Sequence, residues 1–349
     1  VTYGLVAIVK DEAERIDRFV ESVRPLISAW TIVDTGSTDG SPELIRNGLA
    51  GIQGRLLEAP FVDFGTTRSI AFAAARGTAD WLLALDADMT VEIDAEFEPD
   101  PDVAAYLIRM GDEAFEYRLP LVLRGDLPWI SRGAVHEYTC LEDGSLGRRE
   151  PTDAIRIRNS GADRSSPAKT RWQAELLEAE LVREPDNPRT TFYVAQTLRE
   201  IGDARSLERA AVLYRRRAEM GGWIEESWYA RFRAALLEVD WPARLAALLA
   251  AWDARPARLE PLYHVLRELN ARDQHATAYA LARSVDPSSR PADILFVEPW
   301  IWTYGIAFER SVAAWWLGRR DEFARLTAEL LELPLTPAIR AAVEANAAA

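Results

Sequence analysis

Apolar and polar positions follow two different periods along the first half of the chain. Tyr3 to Val9 is a short, almost unbroken apolar run rich in β-formers, the pattern of a strand covered on both faces. From Asp11 to Leu26 the apolar residues Ile16, Phe19, Val20 and Val23 fall on one helical face. Ala29 to Val33 is a second strand-like run and ends in Asp34. Thr35 to Ser41 is turn chemistry, with Ser41 a good helix cap and Pro42 suited to an early helical position before Glu43 to Leu49. Arg55 to Ala59 reads as a third strand, Thr66 to Ala75 as a helix, and Trp81 to Leu85 as a strand ending in Asp86. This succession predicts βαβ units around a mostly parallel sheet. Val103 to Met110 and Tyr117 to Leu123 are two more strands, expected to pair near the sheet edge.

The period changes between Pro151 and Pro167, and from Lys169 onward it is helical. Trp172, Leu176, Leu177 and Leu181 form one stripe. Phe192, Ala195, Gln196 and Leu198 begin a second, stopped by Gly202; Ala210, Val212, Leu213 and Tyr214 form a third, stopped by Gly221 and Gly222. Trp228, Phe232, Leu236 and Leu237 follow, and further helices are expected at 241–254, 258–270, 273–283 and 320–333. Helix pairs recurring every roughly thirty to forty residues predict an α-solenoid. The 349 residues suit two domains. The expected division is an α/β domain over 1–165 and an all-helical repeat domain over 166–349.

Composition narrows the function. Hydrophobic residues make up 48% and charged residues 28%, ordinary for a globular protein. The formal net charge of −14 argues against duplex nucleic acid as a partner, because such a surface repels a phosphate backbone. Cys140 is the single cysteine, so no intrachain disulfide can form. The apolar start is short and meets Lys10, Asp11 and Glu12 at once, unlike a signal peptide. No stretch has the length and apolarity of a membrane span, so the expected location is the cytoplasm. The basic residues are almost all arginine, with lysine only at Lys10 and Lys169.

Two constellations carry chemistry. In Leu82 to Asp88 an apolar strand leads to Asp86 and Asp88, one residue apart. Ligands in open α/β sheets bind at the C-terminal ends of strands. Alternation along a strand would point both carboxylates the same way, toward one hard divalent cation such as Mg²⁺ or Mn²⁺. The plainer reading is a pair of solvated turn residues. In Val33 to Ser41, Asp34 again ends a strand, while Gly36, Ser37 and Gly40 make a loop that suits either a nucleoside or a simple Asx-type turn.

Four ordered blocks resemble family 2 of the GT-A glycosyltransferases. They are Ala7 to Ala13, Ile32 to Gly40, Phe61 to Ser69 and Trp81 to Asp88. The resemblance spans roughly residues 2–140. It implies an α/β GT-A domain, a UDP- or GDP-linked nucleotide-sugar donor, a divalent metal (Mn²⁺ or Mg²⁺) and inversion at the anomeric carbon. Carried over, it places Lys10, Asp11, Glu12, Asp34, Gly36, Ser37, Asp63, Arg68, Asp86, Ala87 and Asp88 at the donor, with Asp88 on the metal. Met89 departs from the pattern, since relatives often carry an acidic residue there. Trp129 to Tyr138 resembles a segment with a His–Glu pair, which makes Glu137 or His136 the candidate catalytic base and His136 an alternative metal ligand. The Ile-x-His pattern that supplies a further ligand in some relatives has no histidine at Ile155 to Asn159; Arg156 or Arg158 might serve the diphosphate there instead.

Asp163 to Lys169 resembles the loop leading into the helices of repeat-bearing members, and Glu184 to Glu226 resembles tetratricopeptide-type repeats. That plan implies a peptide, protein or glycan acceptor, and helical repeats able to support a homodimer. The competing readings are a catalytically degenerate nucleotide-binding scaffold, a transferase acting on a modified nucleobase or small molecule, and a nucleotidyltransferase. The last fits least, because Lys10-Asp-Glu-Ala follows the first strand where a glycine-rich phosphate loop would be expected.

Overall fold

The computed structural model describes residues 1–112, 115–159 and 166–348. The start of the loop 163–169 therefore lies outside the described residues. The chain divides into two compact units. The first comprises Val1–Gly111 and Tyr117–Ile201, the second Asp112–Glu116 and Gly202–Ala349.

In the first unit the expected alternation is present. Strands β1 (Tyr3–Val9), β2 (Ile27–Asp34), β3 (Gln53–Glu58) and β4 (Trp81–Ala84) are linked by helices α1 (Ala13–Val23), α2 (Ser41–Gly48) and α3 (Phe64–Ala75). Then come β5 (Met89–Ile93), β6 (Ala105–Gly111), β7 (Glu116–Arg124), β8 (Trp129–Arg132), β9 (Tyr138–Leu141), β10 (Arg149–Thr152) and β11 (Ile155–Asn159). The main sheet has the order β10-β6-β7-β4-β1-β2-β3. β1 runs parallel to both β2 and β4, β2 parallel to β3, and β4 antiparallel to β7. Alternation along β1 explains its apolar run. Leu5, Ala7 and Val9 pack with Ile16, Phe19, Val20 and Ile45 of α1 and α2, whereas Val6 packs with Ala71, Phe72 and Ala75 of α3 on the other face.

Two short antiparallel pairs, β11 with β5 and β8 with β9, complete the unit. Helices α4 (Pro167–Arg183) and α5 (Pro188–Ile201) also belong to it. The expected division at 165/166 marks where strands give way to helices, but compactness divides the chain later, at 201/202. Side chains give the reason. Trp172 of α4 packs on Phe61 and Phe64, Glu180 accepts from the Ala134 N–H at 3.3 Å, and Tyr193 of α5 stacks on His136.

The second unit is all-helical. It runs through α6 (Ala204–Glu219), α7 (Ile224–Leu236), α8 (Trp241–Ala254), α9 (Glu260–Ala271), α10 (His275–Arg283), α11 (Ile306–Trp316), α12 (Arg320–Leu331) and α13 (Pro337–Ala348). Each of these helices packs against the next in sequence. A π-helical turn, Ile301–Gly305, leads into α11. Asp203 and Asp240 cap α6 and α8 by accepting from backbone N–H groups. Arg258, wholly buried over Trp228, pairs with Glu260 at 2.8 Å and Asp293 at 2.9 Å and donates to the Phe296 carbonyl. It thereby pins the long α10–α11 connection.

Glu298 lies on that connection. Burial first and the charge of Glu260 second push its carboxyl up to about 6. A carboxyl raised in the folded state binds its proton more tightly than in the unfolded chain, so stability is lost as pH rises through that window. Between pH 5 and 7.5, urea unfolding of the wild type and of Glu298→Gln should shift in the variant's favour by about 1–2 kcal/mol. A constant difference would mean that Glu298 is not held protonated.

Candidate active site

The candidate residues gather at the C-terminal ends of β1, β2 and β4. Val9 and Asp34 are register partners at the ends of β1 and β2. The loops beyond them are joined by side-chain hydrogen bonds. The Asp11 N–H donates to Ser37 Oγ at 2.9 Å, and Ser37 Oγ donates onward to the buried Asp34 carboxylate. Asp34 also accepts from the Gly36 and Ser37 N–H groups at 3.2 and 3.1 Å. In return Asp11 Oδ1 accepts from the Thr38 N–H at 2.7 Å. Glu12 N–H donates to Ser41 Oγ and Ala13 N–H to Asp39, each at 2.8 Å. The Ser41 hydroxyl and then the Ala13 N–H hold Asp39 below the usual carboxylate range. Both readings of this loop are thus realised in part: it is an Asx-type turn, and it presents a preorganised polar rim. Gly36 adopts φ 99°, which favours glycine, and Asp11 adopts φ 52° without that excuse. His136 does the same at φ 54°. Left-handed backbone at non-glycine residues concentrates at functional sites.

The approach to Asp86 and Asp88 differs from the expected one. β4 ends at Ala84, and Leu85 N–H bonds to the Val6 carbonyl. Asp86 to Asp88 form a turn closed by the Met89 N–H to the Asp86 carbonyl at 2.9 Å. Strand alternation therefore does not orient the pair; a turn does. The two carboxylates still feel each other. Burial first and the charge of Asp86 second raise the pKa of Asp88, while the cations Arg15 and Lys169 oppose them. Tyr117 is raised by burial and then by Asp88, which places its hydroxyl at the same spot. Ala87 is buried in the core beneath.

Arg68 joins this turn to the His–Glu segment. Its guanidinium donates from one edge to Asp86 Oδ1 and from Nε to Glu137 Oε1, both at 2.9 Å. Burial works to lower the Arg68 pKa, but Asp86 and Glu137 together outweigh it and raise it. Helix α3 delivers Arg68 because its first turn lies on the 131–134 backbone. Phe64 and Gly65 N–H groups donate to the Ala134 and Gly133 carbonyls at 3.2 and 3.1 Å, and Ser69 Oγ bridges to Ser131. A Cβ on Gly65 would stand 2.7 Å from the Gly133 carbonyl, which explains that glycine. Asp63 caps α3, accepting from Thr66 N–H at 2.6 Å, so its carboxylate is committed to the helix that positions Arg68.

Glu137 is thus ion-paired and largely covered. His136 takes a different direction: its ring stacks on Tyr193 at 4.5 Å and 15°, and its carbonyl accepts from Arg189 at 2.9 Å. Desolvation first and the Arg189 charge second lower the pKa of the imidazole. Among the described residues no group of three or more His, Cys, Asp or Glu is arranged to hold a metal, so His136 does not join Asp86 and Asp88 in one. The carboxylate pair nevertheless suits a hard divalent ion. Its mutual repulsion would be relieved by a cation, and phosphate oxygens and water commonly supply the other ligands of Mg²⁺ or Mn²⁺. β11 pairs with the strand directly after Asp88, Asn159 standing opposite Met89. Arg156 on β11 is engaged with Glu92 and Asp94, which removes it as a diphosphate contact. Arg15, Tyr117, Lys169 and Tyr193 were not singled out by the sequence. Only Lys169 left a signal there, as one of two lysines in an arginine-rich chain.

Residues 5–99 match the model of the family described as Glycosyl transferase family 2. The match covers β1 through β5 with Asp11, Asp34, Arg68, Asp86 and Asp88, and it marks the first unit as a glycosyltransferase domain of that type. A TPR repeat-containing protein of Synechococcus elongatus is 27% identical to the chain, covering 80% of it and 74% of that protein. Among solved structures, MamA covers 50% of this chain and 94% of its own, at TM-score 0.38 and 16% identity. S. aureus TarS in complex with UDP-GlcNAc covers 91% and 92%, at TM-score 0.35 and 12% identity. Among the described residues no helix is long and apolar enough to cross a membrane.

Proposed function

We propose that the chain is an inverting glycosyltransferase that moves a sugar from a nucleotide-sugar donor, UDP-linked in the first instance, to a hydroxyl or other nucleophile on a peptide, protein or glycan. The observation that carries this reading is the joining of Asp86 and Glu137 by Arg68, beside Asp88 and the Asp11–Asp34 rim, within and next to the stretch matching the transferase family. The polar rim of Asp11, Asp34 and Ser37 receives the nucleoside. Mn²⁺ or Mg²⁺, held by Asp88, would offset negative charge on the diphosphate. Glu137 takes the acceptor proton as the nucleophile bonds to the anomeric carbon. The bond from that carbon to the diphosphate oxygen breaks, and its electron pair leaves with the nucleoside diphosphate. Arg68 keeps Glu137 ionised and aimed. Holding donor and acceptor in line supplies much of the rate. The cytoplasm is the proposed location, and the helical unit the proposed surface for an acceptor or a second copy.

Glu137 is itself held by Arg68, which favours one second reading: a nucleotide-binding scaffold whose base is locked away. Release of nucleoside diphosphate from UDP-glucose, UDP-N-acetylglucosamine and GDP-mannose, with Mn²⁺ and with EDTA, separates the two. The transferase reading predicts metal-dependent release, cut about 10²- to 10⁴-fold in Glu137→Gln, the usual range for a general base. Binding without turnover of any donor would favour the scaffold.

A further inference from the structure

We propose that Lys169 contacts the donor diphosphate and offsets the charge that builds on it as the sugar departs, an assignment that rests on the transferase reading above. All 41 basic residues except Lys10 and Lys169 are arginine. Lys10 lies in the loop after β1, so both lysines fall at one site.

The placement of Lys169 is set by α4. Lys169, Trp172, Leu176 and Glu180 follow at spacings of three and four, along a single helical face. That face is anchored at two points. Trp172 packs on Phe61 and Phe64 at 6.0 and 6.2 Å between ring centroids, and Glu180 accepts from Ala134 N–H. Phe64 is one turn ahead of Arg68 on α3, and Ala134 is three residues before Glu137. Lys169 is therefore carried to the carboxylate end of the site, and its charge acts on Asp88. The side chain is exposed, and among the described residues its ammonium makes no ion pair.

Lysine and arginine differ here in a way that matters. Arginines beside carboxylates in this protein are held by two of them, as Arg68 is by Asp86 and Glu137 and Arg156 by Glu92 and Asp94. The planar guanidinium matches carboxylates and stays with them. A compact ammonium on a flexible stem acts as a point charge and can pass to phosphate oxygens when they arrive. Charge placed where the leaving group gains it contributes more to the transition state than to the bound donor.

The test is calorimetric binding of UDP and of uridine to the wild type, Lys169→Met, Lys169→Gln and Lys169→Arg, with circular dichroism to verify folding. The two neutral variants should weaken UDP about ten- to hundredfold, the range of a charge-assisted hydrogen bond. Uridine, which has no phosphate, should change by less than about twofold. Lys169→Arg should fall between. Equal UDP affinity in wild type and neutral variants overturns the assignment, and so does a parallel loss of uridine, which would mean that Lys169 only shapes the site. A wild type that binds neither UDP nor GDP overturns the transferase reading, and this inference with it.

Discussion

Asp88→Asn should abolish transfer and leave the protein folded and no less stable. Burial and the charge of Asp86 raise the pKa of Asp88, so at neutral pH its ionised form opposes folding. An amide of the same size removes that opposition. It also removes the anionic oxygen proposed to hold the metal. Loss of several kcal/mol of leaving-group stabilisation corresponds to a rate reduced by about 10³-fold or more. Initial rates of nucleoside diphosphate release and a thermal melt, run on one preparation, check both halves. A fully active variant would remove the metal from the account; an inactive but unfolded one would contradict the stability half.

The second large effect is expected at Arg68. Arg68→Met leaves Glu137 covered and without its cation, and frees the more exposed Asp86 to water. Removing one member of a covered ion pair costs about 3–5 kcal/mol, and the exposure of Asp86 reduces this to about 2–4. Activity should fall with it, since Glu137 loses its orientation. Combining Arg68→Met with Glu137→Gln should recover part of the lost stability, because the stranded charge is gone, while activity stays low. Urea unfolding of the two single variants and the double variant gives the coupling directly. Unchanged stability in Arg68→Met would show the bridge to be incidental.

Much of the fold was legible because it follows from local rules. The apolar runs of β1, β2 and β4 need only period and length, and the helices after 200 announce themselves by stripes and by Gly202, Gly221 and Gly222. The short strands β5 and β8 to β11 were not legible, since four or five residues carry no period. The acidic residues at strand ends were found from position and resemblance, yet their roles depend on contacts that no spacing reveals. Arg68 meets Glu137 across 69 positions in the chain. Asp63 looked like a donor contact and is a helix cap, a purely local hydrogen bond. His136 looked like a partner of Asp88 and stacks instead on Tyr193, in the helical segment that the expected division had assigned to the other domain. The same misplaced division hid Lys169, whose relevance appears only once α4 is seen to belong to the first unit.

The central claim is that this site receives a nucleotide sugar through its diphosphate and a divalent cation. Isothermal titration of UDP into the intact protein, in Mn²⁺ and again in excess EDTA, tests it most directly. The account predicts saturable binding in Mn²⁺ that weakens at least about tenfold in EDTA, as expected when a cation links carboxylate and phosphate. A folded protein that binds neither UDP nor GDP in either condition would contradict it.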